Sequence, residues 1–288
     1  MNNLATSLIY IIVSCIMLNF SKWLFMHFAK YNMYEEVKKG NVTGIIPYCG
    51  FMLGTTAILV GAFVGPSASL FRIDLILYIA YGLLGIFLMI FSGYIVEKAI
   101  LHKFNNTDEI VRDKNIGTGT VHFGMYLASG LLISACVTGD TLVCSGKFYG
   151  IISTLIYYLM GMVFLIFFTK LYDKLSPYSL LGEIEKDNIA VGIAFAGNII
   201  AIGLILMKAS LGDIGNWQQS LILYFIDLST IILLLPSVRF LLDKLIVKEI
   251  NIRNEIKNNN VSAGLGEAFV LICFAIIIFF MVDFVNIV

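Results

Sequence analysis

The chain has 288 residues, 59% hydrophobic and 13% charged, with 19 basic and 19 acidic side chains in formal balance. A soluble domain is about 45–50% apolar and about 25% charged, and a mean hydropathy of +0.91 leaves more apolar surface than one water-soluble core hides. The composition excludes a nucleic-acid binder, a disordered chain and an ordinary soluble enzyme, and makes the lipid bilayer the principal partner.

A membrane-spanning helix needs about 20 predominantly apolar residues. Eight such runs follow one another, at about residues 6–28, 42–64, 74–98, 116–139, 148–170, 189–210, 218–243 and 261–286. Each is long and continuously apolar rather than alternating, which predicts helices and not barrel strands. The first run has nothing basic before it and no small-residue cleavage pattern after it, so it reads as a span and not a signal peptide. All Lys and Arg except Arg72, Lys147 and Lys208 lie at one end of the odd runs or in the segments joining them to the even runs. The positive-inside rule puts those four long connections in the cytoplasm, with both termini outside.

The four connections resemble one another. They read Glu36-Val-Lys-Lys-Gly-Asn41, then Glu109-Ile-Val-Arg-Asp-Lys-Asn115, one residue longer, then Glu183-Ile-Glu-Lys-Asp-Asn188, and finally Glu255-Ile-Lys-Asn-Asn-Asn260. The asparagines recur 74, 73 and 72 residues apart. Each is preceded by a lysine at the end of an odd run (Lys22, Lys98, Lys170, Lys244) and followed by a Gly-bearing apolar run. A fixed period through the chain indicates internal duplication. The expected architecture is an all-α polytopic membrane protein of eight transmembrane helices, arranged as four same-oriented two-helix hairpins. Copies with an even number of spans share one orientation and are related about an axis along the membrane normal, unlike inverted repeats. Asn suits a helix N-cap, and the Glu-Ile/Val segments suit short amphipathic pieces at the interface. Caps and solvated loop charges explain these residues as well as any functional role does. Glycine is concentrated in the even runs, as in Gly50-Phe-Met-Leu-Gly54, which predicts that the even helices form the inner, closely packed set.

The Glu-Ile-x-x-x-Asn pattern followed by an Ala/Gly-rich helix, clearest in Glu183-Ile-Glu-Lys-Asp-Asn-Ile-Ala-Val-Gly-Ile-Ala-Phe-Ala-Gly197, resembles the domain of unknown function 350 family, the YjfL-like bacterial inner-membrane proteins. A family unit is a four-helix duplication of the hairpin. The resemblance therefore implies two tandem units, 1–140 and 145–288. Copy four departs from the pattern by carrying Phe269 where the others have Gly50, Gly124 and Gly197. The family brings no catalytic residues and no cofactor. What it implies about context is a membrane-stress or polyamine-related system.

Ionisable groups within spans are costly and are functional candidates by default. Glu267 lies seven residues past Asn260, about 10 Å into the span at helical rise. The same step leads to Tyr48, His122 and Phe195 in the other copies. If the even helices surround an axis, these side chains converge, and a His122–Glu267 pair would relay protons or hold a cation; a buried structural pair or interfacial snorkelling is the competing explanation. Asn198 lies deeper on the sixth run, and Asp227, in the outer part of the seventh, is placed to pair with Lys208.

No H-E-x-x-H, G-x-S-x-G, Walker or dinucleotide motif occurs, and His27, His102 and His122 lack metal-ligand spacing. Cys136 and Cys144 both fall near the outer face, where a bridge between them competes with ordinary membrane packing, the default for all five cysteines. Nothing in the sequence argues for an enzyme, a metal or a cofactor. Two readings remain. One is a channel or transporter for a small ion or solute. The other is a non-catalytic membrane anchor that docks cytoplasmic protein partners on the connections. A homo-oligomer is compatible with both.

Overall fold

A computed structural model describes residues 3–65, 68, 70–102, 105–138, 147–211, 222, 224–226, 228–229 and 251–281. Among these residues the chain is helical throughout, and seven helices are long and apolar enough to cross a membrane. The long helices are α1 (Asn3–Phe28), α3 (Val42–Val64), α4 (Phe71–Ala99), α6 (Ile116–Thr138), α7 (Lys147–Leu175), α9 (Ile189–Ser210) and α11 (Val261–Met281). Between them lie four one-and-a-half-turn helices, α2 (Met33–Lys38), α5 (Asn106–Val111), α8 (Leu180–Glu185) and α10 (Ile252–Lys257). The expected seventh run, 218–243, falls almost wholly outside the described residues, and Asp227 and Cys144 lie outside them.

The Gly-rich helices α3, α6, α9 and α11 stand side by side in that order, with their N-termini at the same end. Glycine sets the spacing. A methyl carbon on Gly50 would stand 2.6 Å from the Phe123 backbone, one on Gly124 2.9 Å from Ala196 Cα, and one on Gly197 2.5 Å from Ala268 Cα. Lipid offers no hydrophobic drive for helix association, so such close backbone contact is what holds the row together. Helices α1, α4 and α7 form a second layer, with α4 over α3 and α6 and α7 over α6 and α9. Phe25 of α1 ties the layers together, its ring 5.5 Å from Tyr48, 5.0 Å from Phe51 and 6.0 Å from Tyr126.

The even helices are thus the tightly packed set, but they do not surround an axis. They form an open row whose middle members are covered and whose ends face outwards: 72% and 83% of the apolar windows of α6 and α9 are buried, against 50% for α3 and 33% for α11. Phe269 explains itself on this geometry. Gly50, Gly124 and Gly197 each face the next helix of the row. Among the described residues no further helix follows α11 in the row, and Phe269 at the matching position is 63% exposed.

Candidate functional site

The four connections build one hydrogen-bonded strip along the N-terminal end of the row. Each short helix closes with the motif asparagine donating its backbone N–H to the motif glutamate carbonyl: Asn41 to Glu36 at 2.9 Å, Asn115 to Glu109 at 2.8 Å, Asn188 to Glu183 at 3.0 Å and Asn260 to Glu255 at 2.9 Å. The residue before each asparagine takes a left-handed conformation, Gly40 at φ 69°, Lys114 at 54°, Asp187 at 59° and Asn259 at 62°, the usual way to turn out of a helix end. The asparagine then opens the next long helix. Its Oδ1 accepts from the amide of Thr43, Thr118, Val191 or Ala263, satisfying a donor that the first turn leaves without an intrahelical partner.

The asparagine amide reaches across to the following connection. Asn41 Nδ2 donates to Ile110 O at 2.9 Å, Asn115 Nδ2 to Ile184 O at 2.6 Å and Asn188 Nδ2 to Ile256 O at 3.2 Å. The motif isoleucine therefore has two duties: its carbonyl accepts this bond and its side chain is buried, at 3%, 0% and 1% exposure in turn. Val37, which no asparagine of another connection reaches among the described residues, is 50% exposed. Further bonds follow the same direction, from Thr43 Oγ1 to Lys114 O at 2.8 Å and from Ala190 N to Asn259 Oδ1 at 3.1 Å.

The motif glutamates share a position but not a setting. Glu36 accepts from Lys39 Nζ at 2.7 Å and Asn41 Nδ2 at 2.8 Å, and the lysine above all, with the amide, holds its carboxyl below the usual carboxylate range. Glu109 accepts from Asn115 Nδ2 at 2.8 Å, but its neighbour Arg112 pairs with Asp113 instead, and burial pushes the Glu109 carboxyl up. Glu183 pairs with Lys186 at 3.0 Å, and Glu255 accepts from Asn260 at 2.9 Å on the exposed end of the row. The four asparagines cap the helices that follow them, three of them (Asn41, Asn115 and Asn188) also bond to the next connection, and the glutamates bond within their own connection.

The level seven residues into the even helices holds Tyr48, His122, Phe195 and Glu267 as expected, but the row spreads them apart. Glu267 on α11 is 3% exposed and accepts from Tyr172 Oη of α7 at 3.0 Å. Tyr172 in turn stacks on Phe195 at 6.0 Å. His122 stands two helices away on α6, 7% exposed, with its ring 6.4 Å from Tyr126. The two groups do not form the pair that an axial arrangement would have made. Asn198 is buried on α9, and its Oδ1 has no partner among the described residues. Asp227 lies outside the described residues, and of the cysteines described, Cys136 is buried and Cys15, Cys49 and Cys273 are exposed.

His122 opens onto a cavity of about 130 Å³ between the ends of α1 and α4, the flank of α3, and α5 and α6. Lys30, Tyr31, Tyr94, Glu97, Asn106 and Tyr126 also line it. Lys30 Nζ meets Glu97 Oε1 at 3.0 Å at its rim. Asn106 donates to Leu101 O at 3.1 Å and to Glu97 Oε1 at 3.4 Å, which turns Asn106 Oδ1 the other way. That oxygen and His122 Nε2 are both buried without a hydrogen-bond partner among the described residues. Burying a polar atom unpaired costs about 1–3 kcal/mol, and both residues line this cavity, although neither atom is itself exposed to it. The sequence pointed to His122 alone. Lys30, Glu97 and Asn106 read as ordinary charges and caps near helix ends, and only the fold brings them to the same space.

The chain matches Domain of Unknown Function (DUF350) over residues 1–137 and again over 147–282. It belongs to this family. It is also similar to a UPF0719 transmembrane protein of Aquifex aeolicus (strain VF5), 25% identical over 254 residues that cover 85% of this chain and 89% of the relative. No solved structure matches significantly. The protein is accordingly a multi-pass transmembrane protein of the DUF350 family, embedded in a lipid bilayer.

Proposed function

We propose that this DUF350 protein moves a small ion or solute across the inner membrane, with the His122 cavity as its binding site on the cytoplasmic side. The observation that carries this reading is a cavity lined together by His122, Asn106 and the Lys30–Glu97 pair, with His122 Nε2 and Asn106 Oδ1 buried beside it without a partner among the described residues. Polar groups inside a bilayer are expensive, and those that persist line pathways or sites more often than lipid. Glu267 with Tyr172 stands at the equivalent level of the second four-helix unit and gives that unit a proton- or cation-accepting group of its own. In this reading the chain is four same-oriented hairpins in two tandem units, 1–140 and 145–288, with both termini outside and the stitched connections in the cytoplasm.

Flux into proteoliposomes, measured for protons, inorganic cations and small organic cations and anions under imposed gradients, tests the proposal. We expect flux for at least one class, reduced at least tenfold by His122→Phe or by Glu267→Gln in protein that still folds. No flux above empty liposomes for any class overturns it. The docking reading rests on the strip of short helices, whose Tyr34 and Val37 are exposed. Specific capture of a cytoplasmic protein by the connections, together with absent flux, would favour that reading.

A further inference from the structure

The row inside the chain repeats one contact between successive hairpins, and each end of the row carries one half of that contact without the other. At the α11 end, Asn260 Nδ2 donates to Glu255 Oε2 at 2.9 Å. Unlike the amides of Asn41, Asn115 and Asn188, it reaches no carbonyl of a further connection among the described residues. An amide carries two N–H donors, so one is left over. Ser262, two residues on, is exposed. It matches Thr43, whose hydroxyl donates to Lys114 O of the next connection. At the α3 end, the Val37 carbonyl accepts from Gly40 N at 3.0 Å, as Ile184 O does from Asp187 N and Ile256 O from Asn259 N. Ile184 O and Ile256 O each take a second bond from an asparagine, and Val37 O takes none among the described residues. The second layer is unfinished at the same end. Helix α4 lies over α3 and α6, and α7 over α6 and α9. Of the row, α1 packs chiefly on α3, and 17% of its apolar window is buried against 44% for α4 and for α7.

We propose that copies of this chain associate head to tail in the membrane, α10 and α11 of one copy against α2 and α3 of the next, with α1 lying over the join. Asn260 and Ser262 then face the Val37 and Gly40 carbonyls, and the Val37 side chain is covered as Ile110, Ile184 and Ile256 are within the chain. The internal register carries over. Gly50 meets Phe123, Gly124 meets Ala196 and Gly197 meets Ala268; counted from the motif asparagines, the same step sets Phe269 of one copy on Cys49 of the next. The large side chain is now on the donating helix, and the small thiol opposite it is exposed. Deeper in the span Gly54 meets Gly130 and Ala128 meets Gly203, which sets Cys273 on Thr56, both small and both exposed. Ile45 stands where the later helices carry Gly119, Gly192 and Gly264. With Phe269 it makes the seam between copies wider than the backbone contacts within the chain, and so the weaker, separable one. A contact between unlike faces extends until it closes into a ring or runs on as an open chain. Every copy keeps the same orientation across the membrane.

Disulfide trapping of the full chain in phospholipid vesicles tests this. Two versions are prepared, each cleared of all other cysteines: one keeps Cys49, the other carries Phe269→Cys. On oxidation with copper phenanthroline we expect covalent dimers when the two are reconstituted together, at least tenfold less from either alone, and a ladder of higher species when both cysteines are on one chain. Cys273 alone mixed with Thr56→Cys alone repeats the test with Phe269 intact, and decides the matter even where Phe269→Cys fails to fold. Asn260→Ala with Ser262→Ala should lower the dimer yield at least threefold, and an unchanged yield overturns the part given to those two donors. No dimer from either mixed pair overturns the proposal. So do equal yields from one version alone, which mark a face paired with itself. Trapping is read without flux, so its failure leaves the transport reading standing.

Discussion

Asn115 shows how much one side chain carries at the end of a transmembrane helix. Its Oδ1 caps α6 at Thr118 N, and its Nδ2 serves both the buried Glu109 carboxylate and Ile184 O of the next connection. Truncation removes a cap worth about 1 kcal/mol and strands the buried Glu109 carboxylate oxygen at about 1–3 kcal/mol, while Ile184 O keeps the Asp187 N–H. Asn115→Ala should therefore lower unfolding stability by about 2–4 kcal/mol in detergent micelles. Asn260→Ala, whose partners Glu255 and Ala263 lie on the exposed end of the row, should cost about 1 kcal/mol or less. Equal losses at the two positions would mean that the stitch between hairpins contributes nothing. The sequence made these asparagines legible as caps, because capping is local. It left the acceptors hidden, since each lies some 70 residues away and is a backbone carbonyl with no residue signature.

Among elements, the contacts of the row distinguish glycines that pack from one that does not. The faces of Gly54 on α3 and Gly130 on α6 meet backbone to backbone, leaving no room for a side chain. Gly266 on α11 has nothing within 4 Å of where a Cβ would be. Overpacking of a well-filled contact costs about 1–3 kcal/mol, occasionally more. Gly130→Leu should lose at least about 3 kcal/mol or fail to assemble, whereas Gly266→Leu should stay within about 0.5 kcal/mol of the parent. Thermal unfolding of the two purified variants checks this, and similar behaviour of both would refute the close-packed row. The even/odd glycine bias foretold which helices pack together. It did not foretell the shape, because a Gly face says that a neighbour is close and not whether the chain of neighbours closes. The departure at Phe269, a blemish in the pattern, turns out to mark the end of the row.

At the scale of the whole molecule, orientation rests on charge. The basic residues crowd the side of the row that carries the stitched connections, which predicts that this side is cytoplasmic. Single cysteines introduced at Lys39 and at Lys186, in a chain cleared of its own cysteines, should react with a membrane-impermeant maleimide in inside-out vesicles and not in right-side-out ones. The reverse labelling would invert the topology and put the His122 cavity on the outer face. Mutual support between the layers also belongs to this scale. The cavity exists because α1 and α4 lean on α3 and α6 while α5 closes the gap, and no single element contains it.

The sequence alone determined that the chain enters a membrane, where the seven described long helices lie to within a few residues, which of them pack closest and where the Gly-rich ones begin. These follow from composition, run length, glycine content and helix-end chemistry, all of which act over a turn or two of helix. Only the tertiary structure decided that the even helices make an open row, that His122 and Glu267 stand apart, and that Lys30, Glu97 and Asn106 share a cavity with His122. Those outcomes depend on which faces meet across distant parts of the chain, and burial of a polar atom without a partner is a property of the packed whole.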